Sequence, residues 1–259
     1  MIKLFNKIRS QLIGQGRMRK YLFYAIGEVL LVMVGILLAL QFNNWNTEKE
    51  NKKKEHWYLN NLVEDIHYQQ EDLKDLKAHY IECINIGKSI LMDYNKRYHF
   101  SDVDSLDSKL NTLMITDNFP YVNNTYEELV SSGQLGLIQN KDLSTDIIDY
   151  YLFTKDSEID VKNNIENVFY MVIYPILNEL VQIELEEEGL EENELSLLKN
   201  DEKIRQFVLK KLENHDVKLS LLNAIKTRIL INQTHLELVD ETLEIGNDLV
   251  KKIDAELLK

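Results

Sequence analysis

Tyr21 to Phe42, YLFYAIGEVLLVMVGILLALQF, decides the reading of this chain: its interior, Leu22 to Leu40, is nineteen residues in which Glu28 is the one charge. At a rise of ~1.5 Å per residue that interior is roughly 28 Å long, close to the hydrocarbon thickness of a bilayer. Residues 21–42 are therefore expected to form one transmembrane helix. A cleaved signal peptide fits less well. Its apolar core is usually about 7–15 residues long, and Ala39-Leu40-Gln41-Phe42-Asn43 has no pair of small residues at a cleavage spacing. Before Glu28 the chain carries Lys3, Lys7, Arg9, Arg17, Arg19 and Lys20 and no acid, whereas Lys49 and Lys52 to Lys54 beyond the span are interleaved with Glu48, Glu50 and Glu55. Six bases against four favour an inside N-terminus. Aromatic rings stand at both rims, Tyr21, Phe23 and Tyr24 at one and Trp45 at the other, as at head-group level.

Within the basic tail, residues 1–20, Ile2, Phe5, Ile8 and Leu12 recur at helical spacing beside Lys3, Lys7 and Arg9. That pattern suits a short helix lying on an anionic leaflet, ended by Gly14 and Gly16; the alternative is a basic tail without fixed structure. Lys3, Lys7, Arg9, Arg17, Arg19, Lys20 and Trp45 are the residues expected to hold the chain at the membrane surface.

After Phe42 the balance turns strongly acidic. Of 30 bases and 43 acids, 24 and 42 remain there, a net charge of −18 over 217 residues. Such a surface repels nucleic acid and anionic lipid. The length suffices for a full core in one domain. Two prolines and nine glycines leave few turns and long uninterrupted elements. Cys83, the single cysteine, excludes an intrachain disulfide.

Two heptad stripes organise the remainder. Leu59, Leu62, Ile66, Gln69, Leu73, Leu76, Tyr80, Cys83, Gly87, Ile90 and Tyr94 follow a 3,4 spacing, and so do Leu222, Ile225, Ile229, Asn232, Leu236, Val239, Leu243, Gly246, Val250, Ile253 and Leu257. Both predict long helices with narrow apolar seams, about 52 Å each, pairing antiparallel. With Leu59 level with Leu257, Gly87 falls near Ile229 and Gln69 near Gly246, large residues opposite small. Between them the spacing predicts a helix over 102–116, a break at Pro120, and a short helix opened by a Thr125/Glu128 capping box and stopped by Gly133. The next helix starts at Asn140 or Asp142 and kinks near Pro175; a weaker one covers 201–212. No stretch alternates as a strand does. The expected fold is all-α: the membrane helix, continuing through a polar neck over 43–58 into an antiparallel bundle of long helices over 59–259.

Chemistry-bearing groups are sparse. Glu64 and His67 form one Glu-x-x-His pair, half of a carboxylate-bridged di-metal motif, and no second pair exists; a solvated helix face accounts for them. Seven glutamates in ELEEEGLEENE, Glu184 to Glu194, lack the spacing of a calcium loop and read as a solvated end or loop. Cys83 falls on the seam, where a small apolar side chain belongs. There is no phosphate-cradling glycine loop, no G-x-S-x-G elbow and no C-x-x-C pair. The tripeptides from Asn123 and Asn232 match glycosylation acceptors only formally. No metal, cofactor or catalytic residue is expected. One constellation rises above this background: Glu28, Val32, Gly35 and Ala39 share a helix face, so an ionisable group lies beside a small-xxx-small pair. That face is expected to meet protein, by self-association or against another membrane protein; a glutamate snorkelling towards Arg17 to Lys20 is the alternative.

YAIGEVLLVMVGILLALQFNNWN, preceded by KLFNKIR, resembles the N-terminal signature of a Bacteroidota family of uncharacterised single-pass membrane proteins, the domain of unknown function numbered 6090. YEELVSSGQLGLIQNKDLSTDIIDYY, residues 126–151, is similar to that family's recurring central motif. The resemblance implies a single-pass protein of the bacterial inner membrane and no reaction or ligand; with the basic bias, the N-terminus is expected in the cytoplasm and the bundle in the periplasm. The expected role is non-enzymatic: an anchored interaction or scaffold module, partnered by the lipid bilayer and a membrane protein and not by nucleic acid. The alternative is an accessory subunit of a proton-coupled membrane complex that uses Glu28; a hydrolase or metalloenzyme is the third class.

Overall fold

A computed structural model describes residues 18–183 and 201–259. The tail helix expected at 2–13, with Lys3, Lys7, Arg9 and Arg17, and the glutamate run Glu184 to Glu194 lie outside the described residues. Every regular element among the described residues is helical. The chain divides into two compact units, residues 1–57 and 58–259.

Helix α1, Met18–Arg97, contributes to both units without interruption. It contains no proline, and the region read as a polar neck continues the helix, with the Thr47 hydroxyl donating back to the Asn43 carbonyl at 3.0 Å. Tyr98 ends it by turning to φ +60°.

In the second unit a 3₁₀ turn, Phe100–Asp102, leads into α2, Leu106–Leu113. The helix expected over 102–116 is thus shorter, because Ser105 adopts φ +50° immediately before it. Helix α3, Asn124–Ser131, follows, then a second 3₁₀ turn, Leu135–Leu137, and α4, Lys141–Asn164. The capping box proposed for Thr125 and Glu128 does not form. The Thr125 amide instead donates to the Asp65 carboxylate on α1 at 3.0 Å, and Glu128 accepts from the Tyr58 hydroxyl at 3.0 Å. A tertiary partner has replaced the local one. Gly133 stops α3 as expected: it takes φ +67°, a left-handed conformation in which a side chain is strained, and the next amide returns to the Leu129 carbonyl at 2.9 Å. Asn140 caps α4 by accepting from the Leu143 amide at 3.2 Å.

The kink expected at Pro175 takes the form of a π-helix, Ile165–Ile173, ahead of a final turn α5, Tyr174–Asn178. Proline has no amide to donate and its ring crowds the carbonyl four residues back, so the wider π turn absorbs the misfit. Helix α6, Glu202–Lys211, is capped by Asp201, and α7, His215–Leu257, by Asn214.

Helix α7 runs antiparallel to the 58–97 portion of α1, in the register read from the seams. A Cβ on Gly87 would lie 2.7 Å from Ile229 Cγ1, Lys77 pairs with Asp240 at 2.5 Å, and Gln70 donates to Asn247 at 3.3 Å. Gly246 meets Ile66 and Gln70 rather than Gln69. Gln69 turns aside to accept from the Val122 amide at 3.4 Å. The core runs along this pair: Leu59, Leu62 and Ile66 cluster with Val250 and Ile253 at one end, Leu73 and Tyr80 with Val239 in the middle, and Cys83 and Ile90 with Leu221 and Ile225 at the other.

Candidate functional site

Two regions carry chemistry, one in each unit. In the bundle it is a buried polar column. Its α7 members are Arg228, Asn232, His235 and Thr242, each no more than 1 % exposed. Tyr80 and Cys83 face them from α1, at 1 % and 0 %. Thr242 is internally satisfied, its hydroxyl donating to the Leu238 carbonyl at 2.8 Å, as Thr154 on α4 does to Tyr150. Arg228 donates through Nη2 to the Ile115 carbonyl at 2.5 Å, and its guanidinium lies 4.6 Å from the centre of the Phe169 ring. Arg228 Nε, the Tyr80 hydroxyl and both amide atoms of Asn232 have no hydrogen-bond partner in the protein. Burial pulls the Arg228 guanidinium below its ordinary value, against the opposing influence of Cys83, Tyr80 and Asp117.

His235 packs its ring 5.4 Å from that of Tyr80 and sits 3.2 Å from the Asn164 amide nitrogen through Nε2. An amide donating there requires Nε2 unprotonated. Burial agrees, pulling His235 down to about 4, and the Arg228 charge adds to it. The Cys83 thiol lies 3.5 Å from His79 Nε2, yet burial pushes it up, so it is not held as a thiolate. Among the described residues no group of three or more His, Cys, Asp and Glu side chains is placed to hold a metal. Glu64 and His67 are both exposed.

The sequence seams already hold Tyr80, Cys83 and Asn232 and miss Arg228, His235 and Thr242, which are polar and lie one heptad line over. A second 3,4 stripe, Ile225, Arg228, Asn232, His235, Val239, Thr242, Gly246, Leu249 and Ile253, is the one that α7 buries most deeply. Ile229, Leu236 and Leu243, chosen for the seam, are half-buried.

In the first unit the helix over 18–57 exposes its apolar surface. Every aliphatic side chain larger than alanine from Leu22 to Leu40 is 48–71 % exposed. Length and hydropathy make this a candidate membrane span, a test that a signal sequence also passes. Glu28 is half-buried, while Val32, Gly35 and Ala39 are exposed, and a Cβ on Gly35 would meet nothing within 4 Å. The four share a face by helical spacing, and that face has room for a neighbour. Arg19 is exposed and Lys20 lies in the first turn of α1. Trp45 is 57 % exposed, with its ring 5.9 Å from that of Phe42 and 5.7 Å from Lys49 Nζ.

The stretch Tyr126 to Tyr151, singled out by resemblance, is a structural knot. Tyr126 stacks on Tyr151 at 4.3 Å, Gly133 makes the left-handed turn, Asn140 caps α4, and Leu129, Ile138, Leu143 and Ile147 are buried together. Its residues fold the chain back against α1. No curated protein and no solved structure matches the chain. The family of unknown function DUF6090 matches residues 28–188, more than half of the sequence, from Glu28 of the apolar helix through this knot and the π-helix, and the chain is a member of that family.

Proposed function

We propose that the chain is a membrane-anchored interaction or scaffold module: an apolar helix embedded in a bacterial inner membrane, an inside N-terminus, and a periplasmic bundle that meets its partner without catalysing a reaction. The observation that carries this reading is the uninterrupted exposure of the aliphatic side chains from Leu22 to Leu40, which water does not tolerate over nineteen residues. The Glu28, Val32, Gly35 and Ala39 face then supplies the contact to a second copy or to another membrane protein.

The test joins extraction with topology. Full-length chain should resist alkaline carbonate, and a reporter active only in the periplasm should work when fused after Lys259 and fail before Met1. Release by carbonate, or the opposite reporter pattern, overturns the anchor or its orientation. A second reading, an accessory subunit of a proton-coupled complex, is supported by one feature: a carboxylate, Glu28, within the apolar run. Glu28→Gln keeps hydrogen bonding and removes the proton site. Loss of function with crosslinking at Gly35 intact favours the proton-coupled reading; retained function favours the scaffold.

A further inference from the structure

The chain past Phe42 is acidic as a whole and repels anionic lipid, but just beyond the exposed apolar run α1 turns one locally cationic and aromatic face outward. At about 100° per residue, Lys49, Lys52 and His56 lie within roughly 40° of Trp45 around the helix axis, and Lys54 points to the opposite side. A groove along this face is lined by Trp45, Glu48, Lys49, Lys52, Lys53 and His56. The charges on it are not equivalent. Lys53 is held by Glu50 at 2.9 Å, and Glu48 opposes the lysines from the groove edge. Lys49 leans back over the Trp45 ring, towards the apolar end, the direction in which helical side chains point. By helical rise Lys49 stands ~6 Å beyond Trp45, Lys52 ~10 Å and His56 ~16 Å. Trp45 itself stands in the polar layer, which is about 5–8 Å thick on each side, so Lys49 reaches that layer by leaning back over the indole, Lys52 approaches its outer edge by snorkelling, and His56 lies beyond.

We infer that Trp45, Lys49 and Lys52 form a binding site for the phosphate head group of an anionic phospholipid. The inference rests on the membrane-anchored reading and adds to it a lipid preference at the rim past Phe42. Charge complementarity and continuity with the exposed apolar segment name the occupant: a phosphate at this depth belongs to a lipid whose chains lie against Leu37 to Phe42. The indole ring marks the boundary, and the two ammonium groups take the phosphate oxygens as point charges.

The test uses full-length chain reconstituted in vesicles of equal parts phosphatidylcholine and phosphatidylglycerol, re-extracted gently, with retained lipids counted by native mass spectrometry. The parent should retain phosphatidylglycerol preferentially. Lys49→Gln/Lys52→Gln should lower that preference about tenfold, since a lysine near an anionic surface contributes roughly a fivefold factor and Glu48 opposes part of it. Lys49→Arg/Lys52→Arg should restore it, and Lys226→Gln, an exposed lysine of the other unit, should leave it unchanged. In a Trp57→Phe background, brominated phosphatidylglycerol should quench Trp45 more than brominated phosphatidylcholine does, and the Gln pair should erase the difference. A carbonate-resistant parent without lipid preference, or a Gln pair that keeps it, overturns this site alone. A parent released by carbonate overturns the anchor and this site with it. Preference abolished by inorganic phosphate shows a free-anion site and overturns the lipid assignment.

Discussion

In α1 the seam from Leu59 to Ile90 buries the residues that its 3,4 spacing selects, whereas in α7 the same spacing selects Ile229, Leu236 and Leu243, which remain half-exposed while Arg228, His235 and Thr242 go inside. The difference lies in where the second neighbour sits, since α1 too has one in α3, reached through Tyr58 and Asp65. Helix α7 packs against α1, where Gly87 meets Ile229, and also against α4, where Gly246 meets Tyr150 at 3.2 Å. A helix gripped from two sides buries a broader face than one heptad line describes. Hydrophobic spacing locates the first contact and leaves the second to be made by side chains that can satisfy themselves, such as Thr242, or one another, such as His235 with Asn164.

The sharpest way to break this comparison is a charge placed on each seam. Leu73→Asp puts a carboxylate at a site that is 0 % exposed and should cost about 3–5 kcal/mol. Leu243→Asp, half-exposed, should cost about half as much or less. Both are read from denaturant unfolding of the full chain in micelles. Equal losses would mean that Leu243 is buried as deeply as Leu73.

Second in size is the pH dependence set by His235. Its value falls from 6.5 to about 4 on folding, so between those limits the unfolded chain binds the extra proton. Stability should therefore be unaffected above pH 6.5, decline as pH falls from there towards 4, and lose up to roughly 3 kcal/mol from this group. His235→Gln should remove that part of the decline. An unchanged slope in the variant would place the imidazole in water.

Next comes the register. Gly87→Ala forces a methyl to 2.7 Å from Ile229 and should cost about 1–3 kcal/mol despite alanine's better helix propensity. Adding Ile229→Ala should recover about 1 kcal/mol or more relative to additive losses in a double-mutant cycle. Strict additivity would dissolve the contact. The smallest effect belongs to the rim: Lys77 and Asp240 are 38 % and 49 % exposed in their side chains, and Lys77→Ala should change stability by less than about 1 kcal/mol.

These outcomes separate what the residues announced from what only the fold could supply. The two long helices, their antiparallel register near Gly87, the Asn140 cap and the Gly133 stop were legible because each depends on neighbours within one or two turns or on a long periodic signal. The start of α3 was not. Thr125 and Glu128 have capping-box spacing, but Asp65 and Tyr58, some sixty and seventy residues earlier, take both groups. The π-helix was half legible: Pro175 marks where an α-helix must give way, without saying that it widens instead of bending. The helix is expected to continue through the neck, as it does, yet Lys49 and Lys52 read as part of its mixed charge, because the acids interleaved with them hide the face they share with Trp45.

The pairing of α1 with α7 also sets an order of events on the ribosome. Leu59 to Ile90 emerge with their apolar stripe exposed, and the partner that covers it, beginning near Leu221, follows more than a hundred residues later. At about 5–20 residues per second that interval is on the order of ten seconds. During it the nascent stripe is available to any other apolar surface, so the newborn chain needs a chaperone, or a provisional cover from α2 to α5, until α7 closes the bundle.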